Sequence, residues 1–251
     1  MDWLAGLEQL GRVVSTNDVI RERARAGAPE GTAVVAEAQS AGRGREGRSW
    51  SSPPGNLFLS VLLRPALPPE ALPALPLLAG VALAEAAAGY GVAARLKWPN
   101  DVLVGERKLG GILVEASSSG SGLEFVVAGV GLNLAVDPLE LPDELRSSVT
   151  SIRAETGAKI EPFAAARAVL TRLRVWYDRL SRDGASPVLA AWRSAAVPWW
   201  GERVEVQSAG TRVEGVARDI DASGALLLDT DDGATLRVLS GDARALRRLS
   251  E

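Results

Sequence analysis

The chain has 251 residues, 47% hydrophobic and 24% charged, the balance of a soluble globular protein with room for one large domain and a small one. Its 28 basic and 31 acidic residues give a net charge of −3, which argues against a dedicated nucleic-acid binder. Cysteine and histidine are both absent, which excludes disulfides, thiolate catalysis, cysteine metal sites and the commonest general base. Any chemistry must use carboxylates, lysine, arginine, amides or a bound cation.

No basic segment followed by a long apolar run opens the chain, so no signal peptide is expected. Val13 and Val14 lead into Ser15-Thr16-Asn17-Asp18, residue types that favour helix N-caps. A helix is expected from Asp18 to Ala26, stopping at Gly27. The polar triplet either caps that helix or also faces a ligand at its N-terminus; the residues leave both open. Thr32 to Gln39 reads as a strand, and Asn56 to Arg64 as a second whose near-continuous apolar run suits a central position. Between them, Gly42-Arg43-Gly44-Arg45-Glu46-Gly47-Arg48 holds three arginines and three glycines. Glycine lets backbone approach a ligand closely, and arginine brings a permanent charge suited to phosphate or carboxylate. The pattern suggests a mobile loop closing over an anion, against the plainer readings of a solvated loop or an RNA-binding stretch.

Pro68-Pro69-Glu70 starts a helix expected to break at Pro76 and run on to Ala88. Its region, Leu72 to Gly91, is alanine-rich and carries Pro73, Pro76 and Glu85, so it reads as a buried helix rather than a membrane span. Ala94 to Trp98 is a strand turned by Pro99-Asn100-Asp101. Val102 to Val104 and Leu109 to Glu115 form a hairpin, Ser117 to Gly122 a polar loop, and Glu124 to Leu134 a long apolar strand. Leu139 to Thr150 is a connection. From Pro162, Phe163, Val169, Leu170, Leu173, Trp176, Tyr177 and Leu180 make a helical core stripe, and a further helix spans Pro187 to Ala195. After Pro198 short strands (Arg203 to Val206, Arg212 to Ile220, Ala225 to Leu228, Thr235 to Val238) alternate with Gly, Asp and Ser turns, the pattern of a small β-barrel. The domain boundary is expected between residues 197 and 198.

Three further clusters carry possible chemistry. In Lys97-Trp98-Pro99-Asn100-Asp101, Asp101 is a candidate for Mg²⁺ and Asn100 for a polar ligand, against a plain turn. In Lys108-Leu109-Gly110-Gly111-Ile112-Leu113, two glycines weaken a strand unless a ligand lies against it, where Lys108 would meet an anion. In Gly129-Val130-Gly131-Leu132-Asn133, the two glycines share a face and would clear a slot, with Asn133 on the same side.

Taken together, these motifs resemble those of the biotin–protein ligases. The resemblance rests on Ser15-Thr16-Asn17, Gln39, the arginine loop with Trp50, Lys97 to Asp101, Lys108 to Leu113 and Gly129 to Asn133. It extends to Gly215 to Asp221 and Gly224 to Leu228, in family order along nearly the whole chain. It implies an α+β fold: a class II synthetase-like mixed β-sheet catalytic domain with flanking helices, over residues 1–197, and a C-terminal SH3-like β-barrel, over 198–251. It implies biotin and ATP as substrates with Mg²⁺, the intermediate biotinyl-5′-AMP, and a biotin carboxyl carrier protein as acceptor. By matching positions, Ser15, Thr16, Asn17 and Gln39 would hold biotin's ureido head. Arg43, Gly44 and Arg45 would order over the adenylate, and Lys108, with Gly110 and Gly111, would meet the carboxylate and α-phosphate. Arg48, Trp50, Asn100 and Asn133 would face the nucleotide, Asn133 also its metal.

Arg43, Arg45, Lys108 and Asp101 are the catalytic candidates. Bifunctional members of the family carry an N-terminal DNA-binding helix-turn-helix; here Ser15 lies so near Met1 that no such module is expected. No membrane association and a cytoplasmic location are expected. Monomer against homodimer stays open, as does the choice among Arg244, Arg247 and Arg248 for a nucleotide contact. A lipoate ligase is the nearest rival reading.

Overall fold

The computed structural model describes residues 2–120, 122–137, 143–208 and 210–246. The first half contains β1 (Leu7–Val13), α1 (Thr16–Arg25), β2 (Ala33–Gln39), β3 (Leu57–Leu63), α2 (Ala74–Ala88), β4 (Arg95–Lys97), β5 (Asp101–Val104), β6 (Arg107–Ser119) and β7 (Gly122–Leu132). Helices follow: α3 (Asp143–Arg146), α4 (Ile152–Thr156), α5 (Pro162–Asp183) and α6 (Ser186–Ala195). The chain closes with β8 (Arg203–Ser208), β9 (Thr211–Ile220), β10 (Leu226–Asp229), β11 (Thr235–Val238) and β12 (Asp242–Ala245).

The first seven strands form one sheet in the order β1-β2-β3-β7-β6-β5-β4. Only β1 and β2 run parallel; every other neighbouring pair is antiparallel. β3 is interior and wholly buried, as its apolar run requires. Its alternate side chains divide between two faces. Leu57, Leu59, Val61 and Leu63 join Val126, Ala128, Val130 and Leu132 of β7 in the main core under α2, α5 and α6. On the other face Leu62, Phe125 and Val127 lie under Ile20 and Ala24 of α1. The start of α1 covers Ser60 and Gly129 with Thr16 and Asn17, and beyond that start the same face carries Phe58, Gly111 and Gly131.

α2 is apolar all round because it is enclosed by the sheet and by α5 and α6. The stretch Pro69–Ala88 is long and apolar enough to cross a membrane by length and composition, but most of it is packed in this core. Pro76 does not break the helix. It falls in the first turn, where its missing N–H would have had no helical partner.

Two strands lie where no strand is expected from the sequence. β1 is an edge strand, largely exposed, with no clean alternation. β12 is Asp-Ala-Arg-Ala and lacks β-branched residues. The expected polar loop Ser117 to Gly122 is mostly hairpin, since β6 runs to Ser119 and β7 starts at Gly122. The C-terminal strands form an antiparallel sheet in the order β11-β10-β9-β8-β12. Its content suits the expected SH3-like unit, but no β11–β12 pairing closes it into a barrel among the described residues. It seats on the first domain through aromatic packing: Trp98, Trp192, Trp199 and Trp200 meet Val204, Ala217, Leu226 and Ala243. The Trp98 indole N–H donates to the Gly224 carbonyl at 3.0 Å.

Candidate functional site

Beyond α1 this face of the sheet is the floor of a cavity open to solvent. Phe58, Gly111, Leu113, Gly129 and Gly131 line the floor, and the segment from Arg43 to Trp50 forms the roof.

One end is polar. Ser15, Thr16 and Asn17 are buried at the start of α1. The Thr16 N–H donates to Gln39 Oε1 at 2.8 Å, and the Thr16 hydroxyl lies 3.1 Å from the same oxygen. Gln39 Nε2 donates to Ser52 Oγ at 2.9 Å. Gln39 thus satisfies a free helix-terminal donor from 23 residues away. Ser15 makes no side-chain capping bond and lines the cavity instead. Ser60 Oγ lies 2.7 Å from Thr16 Oγ1 and 2.6 Å from Asn17 Oδ1.

The other end is cationic. The Lys108 ammonium sits 2.6 Å from Asp101 Oδ1 and 5.3 Å from the Trp50 ring centre. A β-bulge aims it: the β5–β6 register shifts so that Leu103 pairs with Lys108 while Val102 pairs with Gly110. Lys108 therefore shares a face with Gly111, not with Gly110. The notional Cβ of Gly111 is 3.4 Å from Lys108 Cε, whereas that of Gly110 meets the Gly131 carbonyl and Leu83 of α2. Gly110 serves strand and helix packing and does not line the cavity.

The loop arginines have different partners. Arg43 makes a bidentate pair with Asp18, 2.7 Å on each arm. Arg48 lies 3.1 Å from Asp242 of β12, and Asp242 takes the Lys97 ammonium at 2.8 Å. Burial alone would raise the Asp242 carboxyl, but its bonds and charges from Lys97 and Arg48 hold it below the ordinary carboxylate range. Arg45 has no carboxylate partner among the described residues; it donates to the Gly241 carbonyl at 3.3 Å. Burial pushes its pKa down, outweighing the nearby carboxylates. A half-buried guanidinium without a counter-ion is a ready site for an anion.

Of the residues that the sequence singles out, the cavity gathers Ser15, Thr16, Asn17, Gln39, Arg43, Gly44, Arg45, Arg48, Trp50, Asn100, Asp101, Lys108 and Gly111. It does not include Asn133. That amide donates to the Thr150 carbonyl at 3.0 Å and to the Lys108 carbonyl at 3.3 Å, bracing the strand that carries Lys108. Nor do Gly129 and Gly131 clear an open slot. Asn17 lies over the first and the Trp50 indole over the second. Asn100 donates to the Ile112 carbonyl at 2.7 Å. No group of three or more acidic residues suited to a metal occurs among the described residues, and Asp101 and Asp242 are both engaged by cations.

Sequence reasoning assigns no role of its own to Ser60, Glu115 or Asp242, although the Gly241-Asp242 pair resembles the family's Gly-acid pair before a nucleotide-contacting arginine. Ser60 does leave a signal, as the one polar residue inside the apolar run of β3. Of the C-terminal arginines, Arg244 lies 3.6 Å from Asp242; Arg247 and Arg248 fall outside the described residues.

The pinned Asn17 makes a prediction. A Cβ at Gly129 would collide with Asn17 Oδ1, which Ser60 and Glu115 hold in place. Gly129→Ala should lower folding stability by about 1–3 kcal/mol, the usual cost of overpacking. Thermal unfolding measures this; an unchanged melting temperature would show that Asn17 yields freely.

The chain matches the Biotin/lipoate A/B protein ligase family over residues 10–133 and the Biotin protein ligase C terminal domain over residues 200–243. It is 37% identical over 250 residues to a biotin--[acetyl-CoA-carboxylase] ligase of Mycobacterium tuberculosis, covering 96% of this chain and 89% of that one. It is 36% identical over 221 residues to the bifunctional ligase/repressor BirA of Bacillus subtilis, covering 87% and 68%. Among solved structures, the biotin protein ligase of Aquifex aeolicus in complex with biotin and ATP superposes with a TM-score of 0.82 at 29% identity, covering 96% of this chain and 99% of that one. The Leishmania major enzyme in complex with biotinyl-5-AMP gives 0.62 at 28% identity, covering 92% and 98%. On sequence, fold and cavity together, the chain belongs to the biotin protein ligase family.

Proposed function

We propose that this chain activates biotin with ATP to biotinyl-5′-AMP and transfers biotin to a lysine of a carboxyl carrier protein. The observation that carries the reading is one cavity with a polar end, at Thr16, Asn17 and Gln39, and a cationic end where Arg45 has no carboxylate partner among the described residues. Biotin's cyclic urea offers both donors and an acceptor to the polar end. Lipoate's dithiolane offers none, and burying it there would leave polar groups without exchange partners.

In the first step a carboxylate oxygen attacks the α-phosphorus and pyrophosphate leaves. Both reactants are anions, so the protein must offset charge rather than remove a proton. Biotin's carboxylate is already ionised at neutral pH, which a histidine-free site can exploit. The Lys108 ammonium is the natural bridge between carboxylate and α-phosphate, and Arg45 takes a further phosphate oxygen. Magnesium carried on the ATP phosphates would supply further charge neutralisation. The product is a mixed anhydride that water would cleave, so the arginine loop works as a cover. In the second step the neutral carrier amine attacks the acyl carbonyl and AMP leaves. Asp101, already tied to Lys108, is suited to orienting that amine. We further infer two functional units, 1–197 for the chemistry and 198–251 bracing the loop through Asp242, and a cytoplasmic setting that supplies ATP. Biotin-dependent ATP–pyrophosphate exchange tests the reading, with lipoate as control. Exchange with biotin alone supports it; exchange with lipoate alone, or with neither, overturns it.

A further inference from the structure

A square of alternating charges lies behind the root of the arginine loop. Arg43 holds Asp18 with both arms. Arg21, one turn along α1, pairs with the same carboxylate and reaches Glu115 of β6 at 2.9 Å. Glu115 closes the square, 3.6 Å from Arg43. Two cations and two carboxylates cancel, so Arg43 brings little free charge to the cavity. That sets it apart from Arg45, two residues along.

Glu115 has a second contact. It accepts the Asn17 Nδ2–H at 2.6 Å. A carboxylate only accepts, so this bond turns the Asn17 nitrogen toward Glu115 and its oxygen toward Ser60. One side chain thus touches both the polar end of the cavity and the first arginine of its roof. Neither Asp18 nor Glu115 lines the cavity. Any influence they have on the reaction must pass through Arg43 and Asn17.

We propose that Asp18 and Glu115 are positioning residues that pin the proximal end of the loop through Arg43, and that Glu115 couples this anchor to occupancy of the polar end. A loop fixed at one end gives up less conformational freedom when it closes. The bidentate clamp at Arg43 is that fixed end. The distal half, through Arg45 and Arg48, rests on Gly241 and Asp242 and is free to exchange those contacts for phosphate. The inference rests on the adenylating reading of the cavity.

The test uses the full chain and the variants Asp18→Asn, Asp18→Glu and Glu115→Gln. Two quantities are read: the rate at which biotinyl-5′-AMP escapes into solution relative to its formation, and the rate of tryptic cleavage between Arg43 and Arg48 without substrates. Asp18→Asn should raise the escape ratio about tenfold, the worth of one charge-assisted contact, and speed loop cleavage, with Asp18→Glu recovering most of both. Glu115→Gln should raise the KM for biotin together with escape, because it disturbs Asn17 as well. Wild-type escape and wild-type cleavage in Asp18→Asn would overturn the anchor. A wild-type protein that forms no adenylate would overturn the functional reading instead, and the cleavage rates would still decide the anchor.

Discussion

Lys108→Ala is expected to slow biotinyl-5′-AMP formation by about 10²–10³-fold, the usual cost of deleting a preorganised group that stabilises developing charge. The side chain is partly exposed and sits on a strand held by main-chain bonds to Ser148 and Thr150, so its loss leaves the fold standing. Folding stability should fall modestly, through loss of the cation–π contact with Trp50, worth about 0.5–1 kcal/mol, and of the ion pair with Asp101. Deletion also strips Asp101 of its nearest cation and leaves Lys97 at 3.9 Å. That adds negative charge where two anions must meet, so the defect should lie in the chemical step more than in biotin binding. Single-turnover formation of the adenylate, with the biotin Kd beside it, separates the two. A variant with near-normal formation would move the activating role elsewhere, with Arg45 the next candidate.

Arg45→Ala should act in the opposite way on stability and on function. Among the described residues the native guanidinium is desolvated without a direct carboxylate partner, and desolvation outweighs the nearby charges of Glu46, Asp101 and Asp242, so removing it relieves a cost. The melting temperature should hold or rise. Retention of the intermediate should suffer, because a charge-assisted contact to phosphate contributes about 1.5–3 kcal/mol, equivalent to roughly 10–150-fold in escape of biotinyl-5′-AMP. Measuring free adenylate in a filtrate against total adenylate formed gives the ratio directly. A destabilised protein with normal retention would mean that Arg45 is a structural tie to Gly241 and not a phosphate ligand.

Much of this site is legible in the sequence because its parts are short motifs at the ends of strands. The arginine loop reads as a glycine-rich cationic insertion between two apolar runs, and the sheet does join those runs as neighbours. Lys108 stands out beside two glycines. What the motif does not convey is the bulge that puts Lys108 on the face of Gly111 and turns Gly110 toward Leu83. A simple period-two reading gives the opposite pairing. Asn133 misleads for a related reason: two residues past Gly131 suggests a shared face, but the strand has ended by Leu132 and the amide turns to Thr150. Contacts such as Asn17 with Glu115, 98 residues apart, and Arg48 with Asp242, 194 apart, depend on which strands become neighbours. No local pattern carries that. The edge strand β1 and the charged β12 lack the alternation and β-branched content that mark a strand.

The central claim is that the cavity makes and holds an acyl-adenylate. Mass spectrometry of the protein mixed with biotin, ATP and Mg²⁺, without any carrier, tests it most directly. The account predicts biotinyl-5′-AMP, mostly retained with the protein on gel filtration. Its absence, or formation of ADP and phosphate in place of AMP and pyrophosphate, would contradict it.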